Sequence, residues 1–89
     1  MIGSWRVIFS TSADKQFDRL DPQTQQQVMN YVARLERMED PTLSGAMLTG
    51  SLAGLWRYRV GKYRLICELK KNVLVIEVIT IAKRDRVYR

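Results

Sequence analysis

The residues best equipped for chemistry are three arginines, Arg57, Arg59 and Arg64, within the stretch Gly54 to Glu68. Two runs rich in aromatic and branched residues flank Gly61-Lys62. Glycine at the first central position of a two-residue loop fits a type II′ β-turn. With that turn, Val60 pairs with Tyr63 and Arg59 lies opposite Arg64. Side chains alternate along a strand, so Arg57 and Arg59 share a face and Arg64 joins it from across the hairpin. Like charges placed directly opposite are destabilising, so a chain that keeps them is predicted to use them together on an anion.

Other chemistries are short of parts. The chain has no histidine, which removes zinc sites of the usual kind and a Ser-His triad. Its glycines lack the spacing of a P-loop or dinucleotide fingerprint. Ser44, Ser51 and Cys67 have no histidine to activate them. Cys67, the one cysteine, sits between Leu65 and Leu69 and reads as a buried thiol in a reducing compartment. Glu68 and Glu77 are read as neutralising and orienting the arginines in preference to working as an acid/base pair. No metal site and no cofactor is expected.

Charge is unevenly spread along the 89 residues, which carry a net +6. Residues 1–54 hold five Lys/Arg against six Asp/Glu, and residues 55–89 hold ten against three. A surplus confined to one half points to a face for a polyanion. Arginine grips phosphate bidentately and stacks on bases, and tyrosine offers a ring to an unpaired base, so the composition suits RNA. Phosphodiester transesterification needs least from such a protein. The RNA supplies the 2′-OH nucleophile, and the enzyme aligns it and stabilises charge on phosphorus. Arg57, Arg59, Arg64 and Arg84 could supply that stabilisation. Arginine cannot act as the base, which leaves Tyr88, Lys83, Lys62 or a glutamate.

The elements that must position these residues follow from periodicity. Trp5, Val7 and Phe9 alternate on a first strand. Thr11 or Ser12 caps a short helix with the stripe Ala13, Phe17 and Leu20. Asp21-Pro22 starts a longer helix to about Met38, with Val28, Tyr31, Val32, Leu35 and Met38 on one face and the glutamines mostly on the wet side. Residues 42–54 form a long loop anchored by Met47 and Leu48. The arginine hairpin follows, and then the apolar strand Val73 to Ile81, whose even positions Leu74, Ile76 and Val78 should face the helices. The prediction is a single α+β domain over residues 1–89, ordered β-α-α-β-β-β, with a two-helix hairpin on one face of a mostly antiparallel four-stranded sheet. No segment reads as a signal peptide or membrane span, and a cytoplasmic protein with no membrane partner is expected.

In these residues the chain resembles the RelE/ParE superfamily of toxin–antitoxin toxins. The resemblance runs through Asp21-Pro22, Met47 to Gly50, Leu55 to Leu65 and Ile81 to Arg89. The Arg-x-Arg-x-Gly-x-Tyr-Arg core together with the terminal Arg-x-x-x-Tyr is its most specific part. The RelE-like branch implies a ribosome-dependent endoribonuclease that cuts mRNA in the A site by 2′-OH attack. It also implies a cognate antitoxin, and operator DNA bound only through the antitoxin complex. Carried over by position, Arg57, Arg59, Arg64, Arg84 and Tyr88 are the catalytic residues; Lys62, Lys83 and Arg86, basic residues beside them, are expected to contact RNA. The alternatives are a ParE-like inhibitor of DNA gyrase and a non-catalytic nucleic-acid-binding module, whose arginines only hold phosphates.

Overall fold

The computed structural model describes residues 5–83. Strand β1 (Arg6–Phe9) runs into Ser10, whose hydroxyl accepts the Ala13 N–H and caps helix α1 (Thr11–Asp18). The cap is therefore one residue earlier than Thr11, because Thr11 has already entered the helix. Asp21 caps helix α2 (Pro22–Arg37), accepting from the Thr24 N–H, with Pro22 in the first turn as expected. Gln25 donates from α2 back to the carbonyl of Phe17 at 2.9 Å and ties the two helices into a hairpin.

Strands β3 (Trp56–Val60), β4 (Tyr63–Lys70) and β5 (Val75–Lys83) follow, and the sheet order is β1-β5-β4-β3-β2. Among the described residues only the β1–β5 pair is parallel. The fifth strand, β2 (Ala46–Met47), is two residues of the long loop laid against Trp56 and Arg57. Flanking it are 3-10 turns at Pro41–Leu43 and Gly50–Leu52. The class and the helix pair on one face stand as predicted. The sheet has five strands rather than four because a two-residue bridge leaves no periodicity to read. Leu48 anchors the loop in the core, whereas Met47 is 59% exposed on the outer strand.

The core lies between the helices and one sheet face: Val28, Val32 and Leu35 from α2 meet Tyr58, Val60, Leu65, Cys67, Ile76 and Val78. Strand β5 departs from simple alternation. Its register against β4 passes from Ile66↔Thr80 to Cys67↔Val78, so Ile79 is an extra residue. Such a bulge exchanges the faces of everything after it. Ile81, on the outer face by strict alternation, is therefore in the core at 7% exposure, and Thr80 lies opposite Ile66 on the outer face. Leu74, expected to face the helices, sits in the β4–β5 turn at φ +55°.

Side chains close both flanks of the parallel pair. Glu36 of α2 accepts the Val7 N–H at 2.9 Å, on edge strand β1. Strand β1 ends at Phe9, and beyond it Gln16 takes the place of a strand: its Oε1 accepts the Ile81 N–H at 2.7 Å and its Nε2 donates to Thr80 Oγ1 at 3.0 Å. Ser10 Oγ donates to the carbonyl of the bulged Ile79 at 2.8 Å. These contacts satisfy backbone groups that an open edge would leave for another chain.

Two backbone positions make opposite predictions about stability. Gly45 has φ +73°, and a Cβ there would stand 2.3 Å from the Arg57 carbonyl oxygen and 2.8 Å from the Tyr58 ring. Gly45→Ala is expected to destabilise by about 3 kcal/mol or more, through backbone strain and overpacking together. Leu74→Gly relieves a left-handed leucine and should stabilise by about 1 kcal/mol. Urea unfolding midpoints of the two variants check both signs. Acid adds a third expectation. The hydroxyl and N–H of Thr24 hold the Asp21 carboxyl below its ordinary value of 3.8. Its capping contribution is therefore complete above that value and is lost as pH falls through the lowered one. Asp21→Asn, which keeps a capping oxygen, should show a smaller loss of thermal stability below about pH 4.

Candidate functional site

The β3–β4 hairpin has the geometry its sequence calls for. Gly61 lies at φ +57°, Lys62 is not left-handed, and Val60 pairs with Tyr63, as a type II′ loop requires. Arg59 is consequently opposite Arg64, with Cα atoms about 4.5–5.5 Å apart by strand geometry. Arg57 follows two residues back, opposite Ile66. Tyr58 and Val60, between and beyond the arginines, are buried toward α2, so the guanidinium-bearing face is the one turned from the helices. Arg57 and Arg64 are half-buried and Arg59 is exposed. Three cations on one face can bind phosphate oxygens from several directions, with forked N–H groups and no acceptor of their own.

The same face also carries carboxylates further along its length. Beyond Ile66, Glu68 lies opposite Glu77. Lys70 Nζ reaches Glu77 Oε1 at 3.1 Å, so among the described residues this carboxylate is engaged by a lysine and not by the arginines it was expected to orient. Carboxylates are absent from the hairpin tip and begin only beyond Ile66, so positive charge is densest at the arginines and draws an anion there.

Lys62, in the turn, is exposed at the tip of the arginine hairpin. Lys83 is elsewhere. The β5 bulge turns it to the helix side, where it pairs in register with Tyr63 and lines an open cleft of about 530 Å³ with Asp21, Gln27 and Lys62. A second groove of about 340 Å³ continues from Gln27 and Gly61 along α2, past Tyr31, Arg34 and Arg59. Arg34 is stacked over the Tyr31 ring, its Cζ 4.7 Å from the centroid. Sequence reading passed over Arg34. The available signal was the spacing of Gln23, Gln27 and Arg34, at i, i+4 and i+11, which keeps them close to one stripe of α2. Arg84, Arg86 and Tyr88 lie outside the described residues.

Two titratable groups near the arginines are ruled out as bases. Burial pushes the Tyr58 phenol well above its ordinary value, and its hydroxyl donates to the Pro41 carbonyl at 2.9 Å. Burial likewise raises the Cys67 thiol, which has no exposed surface. Among the described residues no three His, Cys, Asp or Glu side chains group to hold a metal ion. No helix among them is long and apolar enough to cross a membrane.

Residues 7–88 match the family model described as the ParE toxin of the type II toxin–antitoxin system parDE. The chain belongs to this toxin family. Solved structures give the same placement within the RelE/ParE superfamily. The Mycobacterium tuberculosis toxin–antitoxin complex RelBE2 is similar at 26% identity and TM-score 0.82, over 91% of this chain and 99% of that one. The archaeal RelE–RelB complex of Pyrococcus horikoshii is similar at 24% identity and TM-score 0.74, over 94% and 99%. The isolated Escherichia coli RelE toxin is similar at 20% identity and TM-score 0.74, over 93% and 87%. No match was found among curated proteins. The toxin thus has the RelE-like arrangement of a helix pair on a mixed sheet, with its arginines on the opposite face.

The buried thiol supplies a direct check on this side-chain assignment. Cys67 in the folded toxin should resist a thiol reagent such as Ellman's reagent at pH 8, and should react fully in guanidinium chloride. Fast labelling of the native protein would mean that Cys67 lies outside the core.

Proposed function

We propose that the toxin is a ribosome-dependent endoribonuclease that cuts mRNA in the A site. The observation that carries this reading is the cross-strand pairing of Arg59 with Arg64, with Arg57 beside them, on the face turned from the helices. In the reaction the ribose 2′-oxygen attacks the adjacent phosphorus as it loses its proton. The P–O5′ bond breaks and the leaving oxygen takes a proton, giving a cyclic phosphate and a 5′-hydroxyl. Arg57, Arg59 and Arg64 stabilise the charge that builds on the non-bridging oxygens. Arg84 and Tyr88 complete the catalytic set in this reading, and Lys62, Lys83 and Arg86 hold RNA.

A chain with charge stabilisation but without histidine benefits from a larger body that aligns the 2′-OH for in-line attack, and this supports dependence on the ribosome. A cognate antitoxin is the second partner. Support comes from the M. tuberculosis and P. horikoshii structures, whose toxins are complexed with antitoxins. Operator DNA would be met only through that complex, in the cytoplasm.

A second reading, inhibition of DNA gyrase without nuclease activity, is favoured by the description of the matching family. Mapping mRNA 5′ ends after induction without antitoxin separates the two. Cleavage within codons of translated messages is expected for the endoribonuclease. Intact mRNA with accumulated gyrase–DNA breaks would assign the toxin to the gyrase inhibitors, and binding of ribosomes and mRNA without cleavage would make it a binding module. Arg64→Ala should lower the cleavage rate about a hundredfold or more and abolish growth inhibition, with an unchanged circular dichroism spectrum. A folded, fully toxic Arg64→Ala variant would remove the arginine face from the mechanism.

A further inference from the structure

The groove on the helix side is a second basic surface, which joins Lys62 and Lys83 of the proposed RNA contacts to the α2 residues Gln23, Gln27 and Arg34. Its floor is the hairpin tip, from Arg59 through Gly61 and Lys62 to Tyr63, and one wall is the α2 stripe Gln23, Gln27 and Arg34. The two stretches adjoin at Gln27 and Gly61, where Gln27 Oε1 stands 3.2 Å from the position a Gly61 Cβ would take, and together they make one polar channel with a waist at that contact. Between Gln23 and Arg34 it follows α2 for roughly 16 Å at the helical rise. Four cations line it, Arg34, Arg59, Lys62 and Lys83, against the single carboxylate of Asp21. Thr24 already bonds that carboxylate with its hydroxyl at 2.6 Å and its N–H at 3.2 Å.

We propose that this channel holds the backbone of a single RNA strand that continues from the arginine face around the hairpin tip. The proposal rests on the endoribonuclease reading for the identity of that strand. Four features choose RNA over a peptide. The lining is mostly carboxamides and cations, and its one aliphatic member, Val60, is 6% exposed. An amphipathic helix docking in a groove needs apolar pockets at i, i+3/i+4 and i+7. The Tyr31 ring is covered by Arg34 and packs on Tyr58 with centroids 5.7 Å apart, so it presents a held guanidinium rather than an open apolar slot. Repeated cations along a polar channel match a repeated phosphate. Finally, Arg59 lies on the part of β3 beyond its pairing with β2 and lines the channel while sharing the face of Arg64. The two surfaces meet at this residue.

The test is fluorescence anisotropy of purified full-length toxin with a fluorescein-labelled oligouridylate, titrated at several salt concentrations without ribosomes. Lys62→Gln/Lys83→Gln should bind about tenfold more weakly at low salt, with a salt slope shallower by about 1.4. Arg34→Gln should weaken binding with a slope shallower by about 0.7. Lys62→Arg/Lys83→Arg should restore binding. The control Lys15→Gln/Lys71→Gln removes the same charge from exposed sites outside the channel and should bind as the wild type does. Equal loss in the control overturns the channel in favour of general charge attraction. Channel variants that keep full RNA affinity also overturn it, and a selective loss of antitoxin affinity would then give the groove to an acidic peptide. Because this readout is binding alone, the channel can fail while ribosomal mRNA cleavage stands. It can equally hold if no cleavage is found.

Discussion

The burial of Tyr58 is the constraint on which the rest of the structure depends. Its side chain has no exposed surface, its hydroxyl is bonded to the Pro41 carbonyl, and its ring packs on Tyr31 of α2. A phenol sealed against a helix in this way cannot be exchanged for a guanidinium without stranding a charge in the core. The period of two along β3 then leaves Arg57 and Arg59 no face but the outer one. The same contact organises the loop before β3. Pro41 is held from below by the hydroxyl, Gly45 passes over the Tyr58 ring with no room for a Cβ, and Ser44 O accepts from the Trp56 indole at 2.8 Å. A long connection is thereby fastened at three points to the strand that carries the arginines.

Placing arginines opposite each other costs stability, and the fold offsets this by confining the cost to a hairpin tip. The tip is solvated, which weakens repulsion, while the interior of the sheet is apolar on its helix side through Leu65, Cys67, Ile76 and Val78. Opposite the cations, at the other end of the same face, Glu68 and Glu77 form a second like-charge pair moderated by Lys70. Positive charge is thus densest at the hairpin tip and falls off toward the β4–β5 turn, a gradient along one side of the sheet. Such a gradient orients a polyanion whether or not the protein cuts it, and one superfamily fold can carry different activities on the same frame.

The β5 bulge is the device that makes the molecule basic on two sides. With strict alternation Lys83 would stand beside the arginines. The extra residue Ile79 turns it instead toward α2, and the bulge is itself secured by Ser10 and Gln16. Side chains from the first helix region therefore determine on which side of the sheet the last basic residue of β5 projects. This link joins packing to electrostatics, and it spans more than 60 residues of chain.

By itself the sequence determined what short-range rules control. Gly61-Lys62 selected the turn, the turn selected the register, and the register put Arg59 against Arg64. Asp21-Pro22 started the long helix, and its apolar stripe chose the buried side. These signals were legible because each acts over a few residues, through backbone dihedral angles, hydrogen-bond caps or alternation. Only the tertiary structure decided the rest. Strand β2 exists because the loop folds back on Trp56 and Arg57, and two residues of backbone pairing carry no pattern of their own. The bulge at Ile79 is invisible in an unbroken apolar run, since isoleucine suits either face and the choice falls to Ser10 and Gln16, distant in sequence. The channel beside α2 is assembled from a helix, a turn and a strand end. Its cations become neighbours only when Tyr58 draws the sheet and the helix together.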